Sequence, residues 1–205
     1  MATVVRAWVL GLCSMLAMLA APAALARESK VLVMGDSLSA AYGLRADQGW
    51  VALADARSTR YAFHNASLSG ETTAGGRSRI AAELRRVRPD IVIIELGAND
   101  GLRGLPLRQM GENLGWMIGA SKAAGARVLL AGLQLPPNFG PYARDFQRSY
   151  ALISQRLGTG LIPHFLAPLG VERRWFQSDN LHPVAGAQPL LAEQVLQALD
   201  ALPAR

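Results

Sequence analysis

Ile91-Val92-Ile93-Ile94-Glu95-Leu96-Gly97-Ala98-Asn99-Asp100 is the stretch from which the fold can be read. Its first four residues are all β-branched aliphatics, with no alternation of apolar and polar positions. A run this short and this uniform predicts a strand covered on both faces, as in a parallel sheet. A glycine and a polar cluster follow at once. The same pattern recurs along the chain. Val31–Met34 leads to Gly35-Asp36-Ser37-Leu38-Ser39, Tyr61–Phe63 to Asn65-Ala66-Ser67-Leu68-Ser69-Gly70, and Val128–Ala131 to Gln134-Leu135-Pro136-Pro137. Leu161–Phe165 is followed, after a longer loop, by Asp179-Asn180-Leu181-His182-Pro183. Between these runs lie helical spacings: Ile80, Leu84, Val87; Leu107, Met110, Leu114, Met117; Phe146, Tyr150, Ile153, Leu157; and Ala187, Leu191, Val195. Arg88-Pro89 and Gly125 are the expected ends of the first two helices. Strands separated by helices predict βαβ crossovers, hence an α/β domain with a mainly parallel sheet of five strands and helices on both faces. No linker or repeat divides residues 27–205, so one domain is expected there.

The chain has 205 residues, 51% of them hydrophobic and 18% charged, which suits a packed domain and excludes a disordered tail protein. Residues 1–26 are unlike the rest. Arg6 is their only charge, Ala7–Ala21 is a nearly unbroken apolar run, and Pro22 precedes Ala24-Leu25-Ala26. This predicts a secretory signal cleaved after Ala26 and a periplasmic or secreted product. Cleavage would lower the formal net charge from +6 to +5, since Arg6 leaves, and would remove Cys13, the single cysteine. With one cysteine neither an intramolecular disulfide nor a cysteine-based zinc site can form. A lipid anchor on Cys13 is disfavoured by the bulky Leu12 before it.

Parallel sheets bind ligands at the carboxyl ends of their strands, and the polar clusters all fall there. A serine hydroxyl becomes a nucleophile when an imidazole takes its proton, and the imidazole needs an acceptor on its other nitrogen. Asp179 and His182, three residues apart, can be presented by one turn. Ser37 is expected to open a helix, where free N–H groups favour developing negative charge. Three donors are candidates for an oxyanion hole: the Ser37 N–H, the Gly70 N–H and the Asn99 side-chain amide. His64 ends a strand and His164 is embedded in an apolar run, positions where structural histidines are commoner. Asp36 and Asp100 are read as turn supports, and Trp50, Trp116 and Trp175 as packing residues.

Gly35-Asp36-Ser37-Leu38, Gly70, Gly97-Ala98-Asn99-Asp100 and Asp179-x-x-His182 together resemble the four blocks of the SGNH (GDSL) hydrolase family, in their usual order. Asn65–Thr73, Ile94–Gly104 and Gln134–Gly140 are further similar to the bacterial periplasmic thioesterase I, lysophospholipase and arylesterase group. The resemblance implies a flavodoxin-like three-layer sandwich, Ser37 as nucleophile, His182 as base, Asp179 as its orienter, and an oxyanion hole of Ser37, Gly70 and Asn99. It implies acyl esters, lysophospholipids and thioesters as small-molecule substrates, with the loop Gly101, Leu102, Arg103, Gly104 and Leu105 lining or gating the acyl groove, Pro136 as a further substrate-binding residue, and no metal or organic cofactor. Ala98, Glu71 and Asn180-Leu181 depart from the commoner residues of the family. At position 180 a positive φ would be tolerated better by Asn than by most residues.

Two rivals stand beside this reading: a carbohydrate acetylesterase on the same fold, and a non-catalytic lipid- or glycan-binding protein. The basic cluster Arg77, Arg79, Arg85, Arg86, Arg88 fits a solvated helix face better than a transient membrane-surface contact. It lacks the interleaved aromatics of a nucleic-acid site. Nothing in the sequence demands more than a monomer.

Overall fold

The computed structural model describes residues 28–203; the proposed signal and its cleavage site at Ala26 lie outside the described residues. Five strands form one sheet: β1 (Ser29–Gly35), β2 (Tyr61–Asn65), β3 (Ile91–Glu95), β4 (Arg127–Ala131) and β5 (Gly160–Ile162). All pairings are parallel, in the order β2-β1-β3-β4-β5. Ile91 to Glu95 are all buried, as the unbroken apolar run predicts for the central strand. The helices are α1 (Trp50–Arg57), α2 (Thr73–Val87), α3 (Ala98–Leu102), α4 (Leu107–Ala123), α5 (Gly140–Leu157) and α6 (Gln188–Asp200). α1 packs with α6 on one face of the sheet, and α2, α4 and α5 pack side by side on the other. This is the expected three-layer sandwich. At roughly 1.5–3 kcal/mol for each large aliphatic or aromatic side chain fully buried, the two interfaces are the main source of stability.

Both predicted helix ends hold. α2 stops at Val87 with Arg88 in the left-handed region (φ 50°), and Gly125 (φ 83°) follows α4. Thr72 caps α2 by accepting a hydrogen bond from the Gly75 N–H at 3.4 Å.

Three expectations need correction, and one helix left no pattern in the sequence. Ser37 does not open an α-helix. Residues 37–42 form successive turns, with Ala40 N–H bonded to Asp36 O (2.9 Å) and Tyr42 N–H to Ser37 O (3.2 Å), and left-handed Ala41 (φ 58°) and Gly43 (φ 72°) stop the coil there. Ser37 therefore gains nothing from a helix dipole. The fifth strand ends at Ile162 rather than Phe165, because Pro163 has no N–H to continue the ladder. Helix α1 was not foreseen: its two turns bury only Trp50, Val51 and Ala54, too few positions to show a period. Trp116, expected to pack, is exposed, with the Arg77 guanidinium 5.5 Å above its ring.

Candidate active site

The order in which strands are added to the sheet reverses between β1 and β3, and the crevice outside the carboxyl ends of those two strands is where ligands bind in such sheets. Ser37 follows β1 and Asn99 follows β3, so the topology brings them to one place. Ser37 Oγ lies 2.8 Å from His182 Nε2. His182 Nδ1 lies 2.6 Å from Asp179 Oδ2. The other carboxylate oxygen, Asp179 Oδ1, accepts the backbone N–H groups of Leu181 (2.9 Å) and His182 (3.0 Å). Asn180 has φ 60°, the left-handed turn that lets residues 179 and 182 face each other. Partial burial pushes the Asp179 carboxyl up, but the bonds from the His182 ring and the two N–H groups outweigh it and hold the carboxyl at about 2.

The loop that carries Asp179 and His182 is fastened to the Ser37 turn by a residue that sequence reading missed. Gln177 donates its two side-chain protons to Tyr42 O (2.9 Å) and Pro183 O (3.2 Å), while its backbone N–H donates to His182 O (2.8 Å). The Tyr42 ring stacks against His182, with centroids 4.4 Å apart. Neither residue carries a sequence signal of its own beyond lying next to a block.

Among the described residues neither Ser37 N–H nor Gly70 N–H donates a hydrogen bond, so both remain available to an anion. Gly70 has φ 78°, a conformation that points its N–H as a residue with a side chain rarely does. Asn99 is already engaged: its amide nitrogen donates to Asp36 Oδ2 and to Glu71 O, each at 3.0 Å. Asp36 therefore does more than support a turn, because it fixes which edge of the Asn99 amide faces the cleft. Asp36 also accepts from Leu38 N–H (3.0 Å). Burial raises its carboxyl to about 6, against the lowering effect of that N–H, of the His182 ring and of Asn99. Asp100 is a structural support, accepting the N–H and hydroxyl of Thr73 at 2.8 and 2.5 Å.

A cleft of about 320 Å³ opens beside Ser37, Gly70, Asn99 and His182. Its walls are mostly aliphatic, contributed by Leu38, Leu102, Leu133, Leu135, Pro136 and Leu166. Of the six residues expected to bind substrate, Leu102 and Pro136 reach this cleft. Gly101 is buried, with Leu135 and Phe146 where a Cβ would go. Arg103 donates to the Gly70 carbonyl at 3.2 Å, and Leu105 gives its carbonyl to the Tyr142 hydroxyl, so both are in the same loop but outside the cleft wall, as is Gly104. The leucines of 133, 135 and 166 were missed because they sit in loops whose apolar residues read as core.

Other candidates lie elsewhere. His164 is half-buried, and burial lowers its pKa; His64 lies on β2. Trp175 packs against the core and does not line the cleft. In the basic cluster, Arg79 pairs with Glu71, Arg86 with Glu83 at 2.7 Å, and Arg77 donates to Asn113 at 3.1 Å. Arg85 and Arg88 sit beside Pro89 and Asp90, at the sheet edge opposite Ser37. Among the described residues no group of three His, Cys, Asp or Glu gathers to hold a metal ion.

The model of the GDSL-like Lipase/Acylhydrolase family matches residues 33–187. The chain is 45% identical over 202 residues to "Esterase TesA" of Pseudomonas aeruginosa, covering 96% of this chain and 99% of that one. It is 36% identical over 179 residues to "Thioesterase 1/protease 1/lysophospholipase L1" of Escherichia coli K12, covering 86% of each. Among solved structures, the psychrotrophic esterase EstA from Pseudoalteromonas sp., inhibited by monoethylphosphonate, superposes with a TM-score of 0.80 at 39% identity, over 84% of this chain and 97% of that one.

Proposed function

The chain belongs to the GDSL-like lipase/acylhydrolase family and is a serine ester hydrolase of the esterase and thioesterase type; from that premise we propose that Ser37, His182 and Asp179 are its catalytic triad. The observation that carries the reading is the relay Asp179–His182–Ser37, with steps of 2.6 and 2.8 Å, ending at the mouth of an aliphatic cleft. Asp179 accepts the Nδ1 proton, which leaves Nε2 as the base facing Ser37 Oγ. Ser37 attacks the acyl carbonyl as His182 takes its proton. The oxyanion is received by the N–H groups of Ser37 and Gly70 and by Asn99, which turns one amide proton from Glu71 O towards it while Asp36 keeps the other. His182 then protonates the departing alcohol or thiol, and water repeats the sequence on the acyl-enzyme.

The aliphatic wall favours acyl chains longer than acetyl and weighs against the carbohydrate acetylesterase. The triad geometry weighs against a non-catalytic binding protein. The basic start, the apolar run Ala7–Ala21 and the Ala24-Leu25-Ala26 site support export with cleavage after Ala26. An exported enzyme meets carboxylic esters and lysophospholipids rather than cytosolic thioesters, so the substrates are small acyl esters and the catalytic domain spans residues 27–205.

An organophosphonate tests the assignment. Incubation should add one phosphonyl group, mapped by mass spectrometry to Ser37, and Ser37→Ala should remove both labelling and turnover while the protein stays folded. Labelling of another residue, or turnover by folded Ser37→Ala above about a hundredth of wild type, would refute the nucleophile. In the same assay C8 to C12 aryl esters should exceed acetate esters in kcat/KM; the reverse order would restore the acetylesterase.

A further inference from the structure

Glu95, the last residue of β3, is a carboxyl with no exposed surface and no part in the chemistry described above. Its Oε2 accepts the Ser39 hydroxyl at 2.7 Å and the Asp36 N–H at 3.4 Å. Ser39 Oγ in turn accepts the Trp50 indole N–H at 3.3 Å. Gly35 passes so close that a Cβ there would lie 2.8 Å from Oε2. Glu95 thus grips the nucleophile turn on both sides of Ser37, at residues 36 and 39. The grip continues through Asp36 to the Asn99 amide at 3.0 Å. We propose that Glu95 is a positioning residue that works in its neutral form, holding the Ser37 turn and, through Asp36, the Asn99 amide in the geometry the oxyanion requires. The inference rests on the oxyanion hole proposed above.

Neutrality follows from the surroundings. Oε1 is buried and has no hydrogen-bond partner among the described residues. No cation pairs with the carboxyl among the described residues; the titratable groups facing it are Asp36 from the β1 turn and Tyr150 from α5, whose hydroxyl donates to Leu96 O. His182 and Glu71 face Asp36 rather than Glu95. A negative charge there would be buried, hydrogen-bonded at only one of its two oxygens and beside a second carboxylate, which costs several kcal/mol that protonation avoids. Burial first and the Asp36 charge second push the Glu95 carboxyl well above its usual range.

Steady-state hydrolysis of one aryl ester by Glu95→Gln, Glu95→Leu, Asn99→Ala and the double variant Glu95→Leu/Asn99→Ala tests this. Gln keeps the shape and the acceptor oxygen without the charge. It should retain kcat within about threefold, and its activity should hold at alkaline pH where the wild type declines as Glu95 ionises. Leu should lower kcat by about 10–100-fold with KM within about threefold, the mark of an interaction made only in the transition state. Asn99→Ala should cost about 10²–10³-fold in kcat, and the double variant should lose clearly less than the product of the two single losses, because part of what Glu95 does passes through the Asn99 amide. If Glu95→Leu does not fold, Ser39→Ala removes the 2.7 Å hold in its place. Loss in Glu95→Gln equal to that in Glu95→Leu, or losses that multiply in the double variant, would overturn the inference. Near wild-type turnover by Asn99→Ala alone would instead overturn the oxyanion hole beneath it.

Discussion

Changing Asp179 to asparagine should be worse than deleting its side chain. Asp179 Oδ1 is held by two backbone N–H groups, at 2.9 and 3.0 Å, which only an oxygen can satisfy. In Asp179→Asn the amide oxygen must therefore keep that place, and the NH₂ must take the place of Oδ2, 2.6 Å from His182 Nδ1. A donor facing Nδ1 forces that nitrogen to be the acceptor, so the ring proton moves to Nε2 and points at Ser37 Oγ. The base is then occupied when Ser37 needs it. A loss of about 10⁴ in kcat follows, or about 5 kcal/mol of barrier, with KM changed by less than about threefold. In Asp179→Ala no donor opposes Nδ1. The site is partly exposed, so water can accept the Nδ1 proton and the correct tautomer stays populated. That variant should lose only about 10²–10³. Initial rates on an aryl ester, with folding checked by circular dichroism, give the comparison. If Asp179→Ala is as slow as Asp179→Asn, or if Asp179→Asn keeps more than a tenth of wild-type kcat, the role given to the Asp179–His182 bond is wrong.

Gly70→Ala should cost about 1–2 kcal/mol in urea unfolding, because the left-handed φ of 78° opposes a side chain although no neighbour lies within 4 Å of its Cβ. It should also slow turnover as the N–H shifts, and unchanged stability would show that the φ carries no constraint. The buried acids set a pH dependence. Asp36, raised to about 6, and Glu95, raised further, bind protons more tightly in the folded state. Their contribution is therefore complete below about pH 4 and is lost as pH rises through 6 and beyond. Wild type should lose about 2 kcal/mol between pH 4.5 and 8 relative to Asp36→Asn; a parallel pH profile for the two proteins would refute it. Asp179, held at about 2, has the opposite sign, adding stability above about pH 4 that disappears as pH falls towards 2.

What the sequence reveals and what it hides divide along the length scale of the interactions. The strands at Val31–Met34 and Ile91–Ile94 are legible because burial on both faces leaves an unbroken aliphatic run. The polar residues after them are legible because such sheets hold ligands at one edge. The strand order β2-β1-β3-β4-β5 is set by crossovers that no local pattern records. Gln177 and Tyr42 could not be found, since each acts through partners 135 and 140 residues away. Glu95 left a faint signal: a carboxylate at the end of an otherwise wholly apolar strand is costly unless something there uses it. Ser37 misled for the converse reason. Its local sequence allows a helix, and left-handed Ala41 and Gly43 cut the coil short.

The Gln177 fastening also governs when the protein acquires its reactivity during folding. Ser37 and His182 are 145 residues apart, and His182 sits on a loop that is anchored only after β5, among the last elements of the chain. A nascent or unfolded chain therefore displays the GDSL serine as an ordinary alcohol. With the triad proposed above, reactivity is switched on only by closing the 145-residue span between Ser37 and His182, so an unfolded chain carries no working hydrolase.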